Sequence, residues 1–201
     1  MRLLLATSNL HKLREIRAIL SKNKSLELLT LRDFPQFKLP EETGTTFEEN
    51  AILKATSAAK ELHIMTLADD SGLVVPALDD RPGVYSNRYA GENASDKENL
   101  EKLINQLHNI KPEKRLARFE CAMALSDENG NLIKCVTGTC EGSLILEPRG
   151  NKGFGYDPIF IKYDYNKTMA ELTEDVKNRV SHRRRAFDKI LITLESLGIP
   201  C

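Results

Sequence analysis

Apolar and polar positions along this chain follow two rhythms, one helical and one extended. Arg2 to Ala6 is a short apolar run, Thr7-Ser8-Asn9 follows with capping side chains, and Leu13, Ile16 and Leu20 recur at helical spacing. The order predicts a strand, a polar loop and a helix. Thr46 and Glu49 stand at capping-box spacing ahead of Ala51, Ala55, Ala58, Ala59 and Leu62, which predicts a helix with a small-residue face suited to close packing. Ile64 to Ala68 predicts the next buried strand. Ser95 and Glu98 repeat the capping box ahead of Leu100, Leu103, Ile104 and Leu107, giving a second amphipathic helix. Arg118 to Leu125 and Leu132 to Thr139 flank Asn129-Gly130, a pairing that predicts a hairpin. A last helix carries Ala186, Phe187, Ile190, Leu191, Leu194 and Leu197, with Gly198 and Pro200 as its stop.

Strand–helix alternation in the first half and a hairpin across residues 116 to 140 predict a mixed α/β fold, with an elongated mixed sheet flanked by helices. No repeat or low-complexity linker interrupts the chain. Its 201 residues, 41% of them hydrophobic, suffice to bury a core as a single domain over residues 1 to 201 or as two closely packed lobes. The apolar run at Leu3 to Ala6 is too short for a signal-peptide core, and no stretch approaches membrane-spanning length, so no membrane association is expected. Lysine plus arginine and aspartate plus glutamate number 29 each, which leaves no global positive field to gather nucleic acid. Cys121, Cys135, Cys140 and Cys201 lack the spacing of a zinc site or a disulfide framework; reduced thiols in a cytoplasmic protein are expected.

Local clusters must therefore carry the chemistry. Asp69-Asp70-Ser71-Gly72 follows the apolar strand and is compatible either with a site for a hard cation such as Mg²⁺ or with an ordinary acidic turn. Glu41 and Glu42 add carboxylates in a loop; Glu48 and Glu49 lie in a first helical turn, where the macrodipole and the capping box account for them. Thr7-Ser8-Asn9-Leu10-His11-Lys12 offers hydroxyls, an amide and backbone donors at a helix N-terminus, suited to polyphosphate or simply to capping. Lys54 is equally a phosphate ligand or a surface lysine. Gly150 to Pro158 combines three glycines with Phe154, Tyr156 and Asp157, either to stack a flat ligand or to form a structural loop, and its context is not that of a dinucleotide fingerprint. Lys177, Ser181, His182 and Arg183 concentrate donors before the last helix, as a solvated basic face or as a reader of carbonyl oxygens on a base.

Taken in order, TSNLHK at 7 to 12, EETGTTFEENAILKA at 41 to 55, DDSGL at 69 to 73, PGVYSNRYAG at 82 to 91, GFGYDPIF at 153 to 160 and KNRVSHR at 177 to 183 resemble the inosine triphosphate pyrophosphatase family, the Ham1-like non-canonical purine triphosphate pyrophosphatases. The resemblance spans nearly the whole chain. It implies an α/β protein of two lobes with a central active-site cleft, a homodimer, which converts triphosphates such as ITP, dITP and XTP to the monophosphate and pyrophosphate without a covalent intermediate. Carried over by position, Thr7, Ser8, Asn9, Leu10, His11, Lys12 and Lys54 hold phosphates, while Glu42, Asp69 and Asp70 organise Mg²⁺ and the attacking water, with Asp70 as general base. Ser71, Phe154, Gly155, Tyr156, Asp157, Lys177, His182 and Arg183 line the nucleoside pocket, Phe154 stacking on the purine. Asn87 and Lys152 depart from the smaller residues usual at their positions.

Three other functions compete with this one. A nucleotide sensor would have no need of Glu42, Asp69 and Asp70 converging on a triphosphate. An RNA-end or RNA-modifying protein would use the basic cluster at 182 to 185, but the balanced charge and the lack of a basic-aromatic stripe weigh against it. A pyrophosphatase cleansing the pool of other modified bases would keep the catalysis and change the pocket.

Overall fold

The computed structural model describes residues 2–20 and 26–198; Pro200 and Cys201, named above, lie outside the described residues. The helices are α1 (Leu10–Leu20), α2 (Phe47–Leu62), α3 (Asp96–Leu107), α4 (Glu174–Val180) and α5 (His182–Ser196). The strands are β1 (Arg2–Leu5), β2 (Glu27–Thr30), β3 (Thr66–Val75), β4 (Arg81–Pro82), β5 (Leu116–Ser126), β6 (Leu132–Leu144) and β7 (Phe160–Lys162). They form one sheet in the order β2-β1-β3-β5-β6-β7, with β4 paired to β3. β1 runs parallel to β2, Leu4 opposite Leu29, and parallel to β3, Leu5 opposite Leu67. Parallel neighbours need a crossover, and α1 and α2 occupy those two connections. β4 and β7 pair antiparallel with β3 and β6, so the sheet is mixed as the alternation predicts.

The helices begin where capping chemistry predicts. Asn9 Oδ1 accepts the N–H groups of His11 at 2.9 Å and Lys12 at 3.2 Å, opening α1. Thr46 Oγ1 accepts the Glu49 N–H at 3.1 Å while Glu49 accepts that of Thr46 at 3.3 Å, and Ser95 and Glu98 close the same reciprocal box on α3. At the hairpin, Gly130 adopts φ +85 and Asp127 accepts its N–H at 3.1 Å. Gly198, at φ +78, follows the last turn of α5 and stops it.

Two compact units interleave along the chain. One comprises Met1–Asp70, Cys121–Gly138 and Arg183–Cys201; its core sets Leu3, Leu5, Leu67, Met123 and Leu125 of the sheet against Leu13 and Ile16 of α1 and Phe187, Ile190 and Leu194 of α5. Ala51, Ala55, Ala58 and Ala59 of α2 are fully buried. The other comprises Ser71–Glu120 and Thr139–His182, and its core gathers Leu73, Val75, Leu103, Leu107, Phe119, Ile159, Phe160 and Met169. The division falls within β3, β5 and β6, so no linker composition marks it.

Three local expectations are corrected. β3 does not end at Ala68 but continues to Val75, so Asp69-Asp70-Ser71-Gly72 lies inside a strand and not in a turn. Gly72 is a glycine for a different reason: a β-carbon there would fall 2.2 Å from Ser86 Oγ and 2.6 Å from the Gly83 carbonyl oxygen, where the 3₁₀ segment Gly83–Arg88 lies against the strand. Ser86 Oγ in turn accepts the Leu73 N–H at 2.9 Å. β6 extends to Leu144 because its far end pairs with β7, whose three residues are too few to show a period. Lys177 lies in α4, Ser181 at the junction, and His182 and Arg183 inside the first turn of α5, where the basic run reads as a segment before the helix.

Replacing Gly72 by alanine should lower the unfolding free energy by about 1 to 3 kcal/mol, the usual cost of forcing a methyl into a filled site. Urea denaturation measures it, and wild-type stability in Gly72→Ala would mean that the Gly83–Arg88 segment does not press on β3.

Candidate active site

Successive residues of a strand face opposite ways, and β3 uses this to give its two aspartates separate surroundings. Asp69 points toward α1 and α5. Its side chain is fully buried, and Oδ2 receives Lys12 Nζ at 3.1 Å and Arg183 Nε at 3.3 Å, with the Cys121 thiol at 3.9 Å. Arg183, only 1% exposed, also bonds Glu15 from α1. Burial pushes the Asp69 carboxyl up, but the charges of Lys12 and Arg183 outweigh it and hold the group well below its ordinary 3.8. The same surroundings push the Cys121 thiol up, chiefly by burial and then by the Asp69 charge, so it is an inert core cysteine.

Asp70 points toward α2. Asn50 Nδ2 donates to its Oδ2 at 3.2 Å and Lys54 Nζ reaches its Oδ1 at 3.2 Å. Lys54 also bonds Glu42 Oε1 at 2.8 Å, and the amide of Asn50 is oriented by the Gly44 N–H, 2.8 Å from Oδ1. Lys54 is therefore no surface lysine. Burial lowers its proton affinity, but Asp70 and Glu42 more than restore it and the ammonium is held above its ordinary value. For Asp70 the balance goes the other way: burial dominates, Lys54 and Lys12 offset it only in part, and the carboxyl rises above 3.8. The two adjacent carboxylates thus have their proton affinities pushed in opposite directions.

The segment ahead of α1 presents Ser8 and Leu10 on the surface beside the first N–H groups of the helix. Within it, Thr7 Oγ1 accepts the Asn9 N–H at 3.3 Å, and Asn9 is occupied as the cap. His11 is exposed, whereas Lys12 is buried on Asp69.

Among the described residues, no three or more acidic, histidine or cysteine side chains converge as a cation cage. Magnesium does not require one: it is commonly held by one or two carboxylates together with water and substrate phosphates. Glu42 and Asp70, both within 3.2 Å of the single ammonium of Lys54, supply such a pair of hard oxygens. Asp69 stands on the other face with its Oδ1 buried and without a hydrogen-bond partner among the described residues, an acceptor suited to a water or a cation.

In the second unit, Gly153-Phe154-Gly155-Tyr156-Asp157 is tied by its own backbone. Asp157 Oδ2 accepts the Phe154 N–H at 2.9 Å and Lys177 Nζ at 2.7 Å, and that ammonium lies 4.9 Å from the centre of the Phe154 ring. Gly153 takes φ +76, and a β-carbon there would meet Asp157 Oδ2 at 2.1 Å. The Tyr156 hydroxyl donates to the Ser86 carbonyl at 2.9 Å, and burial pushes its phenol up, so it stays protonated. His182 stacks on Phe119 with ring centroids 5.0 Å apart. Ser71 is half-buried in β3 and Ser181 is buried between α4 and α5.

Phe154, Gly155, Tyr156, Asp157 and Lys177 are thus brought together, and so are Lys54, Glu42 and Asp70. Arg183 is placed with Asp69, Lys12 and Glu15, and His182, its neighbour in the chain, with Phe119. Asn50, Glu15 and Ser86 take part without having been singled out by sequence. Asn50 was discoverable, since it lies four residues before Lys54 and so shares its helix face; the others carry no local signal.

The sequence profile of the Ham1 family matches residues 3–192. A dITP/XTP pyrophosphatase of Protochlamydia amoebophila (strain UWE25) is 52% identical over 198 residues, covering 98% of this chain and 99% of that protein. One from Bacillus subtilis (strain 168) is 49% identical over 193 residues, covering 96% of each. Among solved structures, a HAM1 protein from Coxiella burnetii superposes with a TM-score of 0.88 at 41% identity, covering 98% of this chain and 99% of that one.

The two aspartates should separate in their effect on stability. Asp69, with its lowered proton affinity, stabilises the fold above the ordinary 3.8, a contribution lost as pH falls through its folded-state value. Asp70, with its raised affinity, contributes below 3.8 and loses that contribution as pH rises through its own folded-state value. At pH 7, Asp69→Asn strands Lys12 and leaves Arg183 with Glu15 as its remaining carboxylate, and should cost about 3 to 5 kcal/mol in urea unfolding; Asp70→Asn should cost far less. Equal losses would contradict the assignment of Asp69 to the ion cluster.

Proposed function

The chain belongs to the Ham1 family, and on that premise we propose that it hydrolyses non-canonical purine nucleoside triphosphates, dITP, ITP and XTP, to the monophosphate and pyrophosphate. The observation that carries the proposal is Asp70, a buried carboxylate of raised proton affinity beside Lys54 and Glu42. A base must be ionised yet basic enough to take a proton, and burial moves Asp70 toward that condition.

In this reading Glu42, Asp69 and Asp70 would organise Mg²⁺, Glu42 and Asp70 beside Lys54 and Asp69 from the opposite face of β3. The cation, when bound, neutralises phosphate charge and makes a coordinated water easier to deprotonate. Thr7, Ser8, Asn9, Leu10 and His11 supply the N-terminal donors of α1 to the phosphates, and Lys12 and Lys54 offset the charge that gathers on the α-phosphate as water attacks opposite pyrophosphate. Asp70 takes the proton from that water. Phe154 stacks on the purine, Gly155, Tyr156 and Asp157 shape its seat, and Ser71, Lys177, His182 and Arg183 complete the substrate-binding set. The protein acts as a homodimer in the cytoplasm. No described helix is long and apolar enough to cross a membrane.

Two measurements test this. Hydrolysis of dITP in ¹⁸O-labelled water should place the label in the monophosphate, and label in pyrophosphate would mean attack at the β-phosphorus. Asp70→Asn should slow turnover by ~10²-fold or more at saturating Mg²⁺, the scale of a positioned acid–base group; near-normal turnover removes Asp70 from the mechanism.

A further inference from the structure

Phe154 stands between two glycines in left-handed conformations, Gly153 at φ +76 and Gly155 at φ +59. Such a segment loses more backbone freedom on ordering than any other, so a ring mounted on it is only as well placed as the bonds that hold its flanking peptides. The peptide before the ring is held locally: the Phe154 N–H donates to Asp157 at 2.9 Å, and Asp157 is bound by Lys177. The peptide after it is held from a distance. The Gly155 N–H donates to Asp96 Oδ2 at 2.9 Å, across 59 residues of sequence.

Asp96 is the first residue of α3, and its carboxylate is not what caps that helix. Ser95 and Glu98 already form the reciprocal box there. α3 is in turn fastened at its N-terminal end to the segment that holds Tyr156, because Asn99 accepts the Ala90 N–H at 2.7 Å and donates to the Asn87 carbonyl at 3.0 Å. Asp96, Leu100, Phe154 and Pro158 line a common pocket of about 230 Å³. We propose that Asp96 is a positioning residue: by fixing the Gly155 peptide it sets the orientation of the Phe154 ring and so the affinity for the base. This rests on the reading that Phe154 stacks on the purine. An aspartate in a first helical turn also complements the macrodipole, but that role would act on stability and not on substrate.

The test compares Asp96→Ala, Asp96→Asn and Phe154→Ala in the full-length protein, with dITP kinetics and, in the substrate-free protein, hydrogen exchange of the Gly155 amide by NMR. Asp96→Ala should accelerate Gly155 exchange and raise KM by about 2- to 10-fold, the span of one lost hydrogen bond, with kcat changed by less than about twofold. Asp96→Asn keeps an acceptor and should restore most of both. In the double variant with Phe154→Ala, the KM should rise no further than in Phe154→Ala alone. Unchanged Gly155 exchange in Asp96→Ala overturns the inference whatever the kinetics. So does an unchanged KM in Asp96→Ala when Phe154→Ala raises it. An unchanged KM in Phe154→Ala itself overturns the stacking reading, and with it the effect claimed for Asp96 on substrate, while the exchange result still reports separately on the Asp96 bond.

Discussion

A carboxylate with no exposed surface stays ionised only if cations are buried with it, and the grouping of Asp69 with Lys12 and Arg183 meets that requirement in the first unit. Lys12 comes from α1 and Arg183 from α5, so a single oxygen of β3 draws together two helices far apart in the chain. Glu15 balances the second cation, Arg183, leaving two carboxylates against two cations. Hydrophobic contacts among Leu13, Ile16, Phe187 and Ile190 press the helices on the sheet, but they are non-directional. The ion cluster is what fixes which residue of each helix meets β3.

This anchoring leaves Asp70 to its own conditions. Because the strand alternates, its carboxylate emerges among α2 side chains, where one lysine is shared with Glu42 and an amide held by Gly44 supplies the other bond. Asp69 is overcompensated by positive charge and Asp70 is undercompensated. Two identical side chains one residue apart thereby acquire opposite shifts in proton affinity.

In the second unit the comparable constraint is backbone and not charge. Glycines at 153 and 155 allow the turn that presents Phe154, and the same freedom must be removed by Asp157, Asp96 and the Tyr156–Ser86 bond. Gly72 reflects the same segment from the other side, since Ser86 occupies the space a side chain would need.

What the amino-acid order determined by itself was local: capping boxes at Thr46 and Ser95, the cap at Asn9, the hairpin at Asn129-Gly130 and the alanine face of α2 depend on neighbours within a few residues. The ordered motifs likewise marked the chain's family. Tertiary structure alone decided the rest. Asp69-Asp70-Ser71-Gly72 has the composition of a turn, and it is a strand because β3 runs on beside β5 in the sheet to its pairing with β4 at Val74 and Val75, with the Gly83–Arg88 segment packed close on Gly72. Lys54 and Arg183 have the pattern of surface cations, yet both are buried because carboxylates distant in sequence wait for them. Asp96 carries no signal beyond its place in a first helical turn. Propensity and periodicity act over one turn or one strand, whereas the pairing of buried charges and the holding of a glycine loop depend on what long-range packing brings within 3 Å.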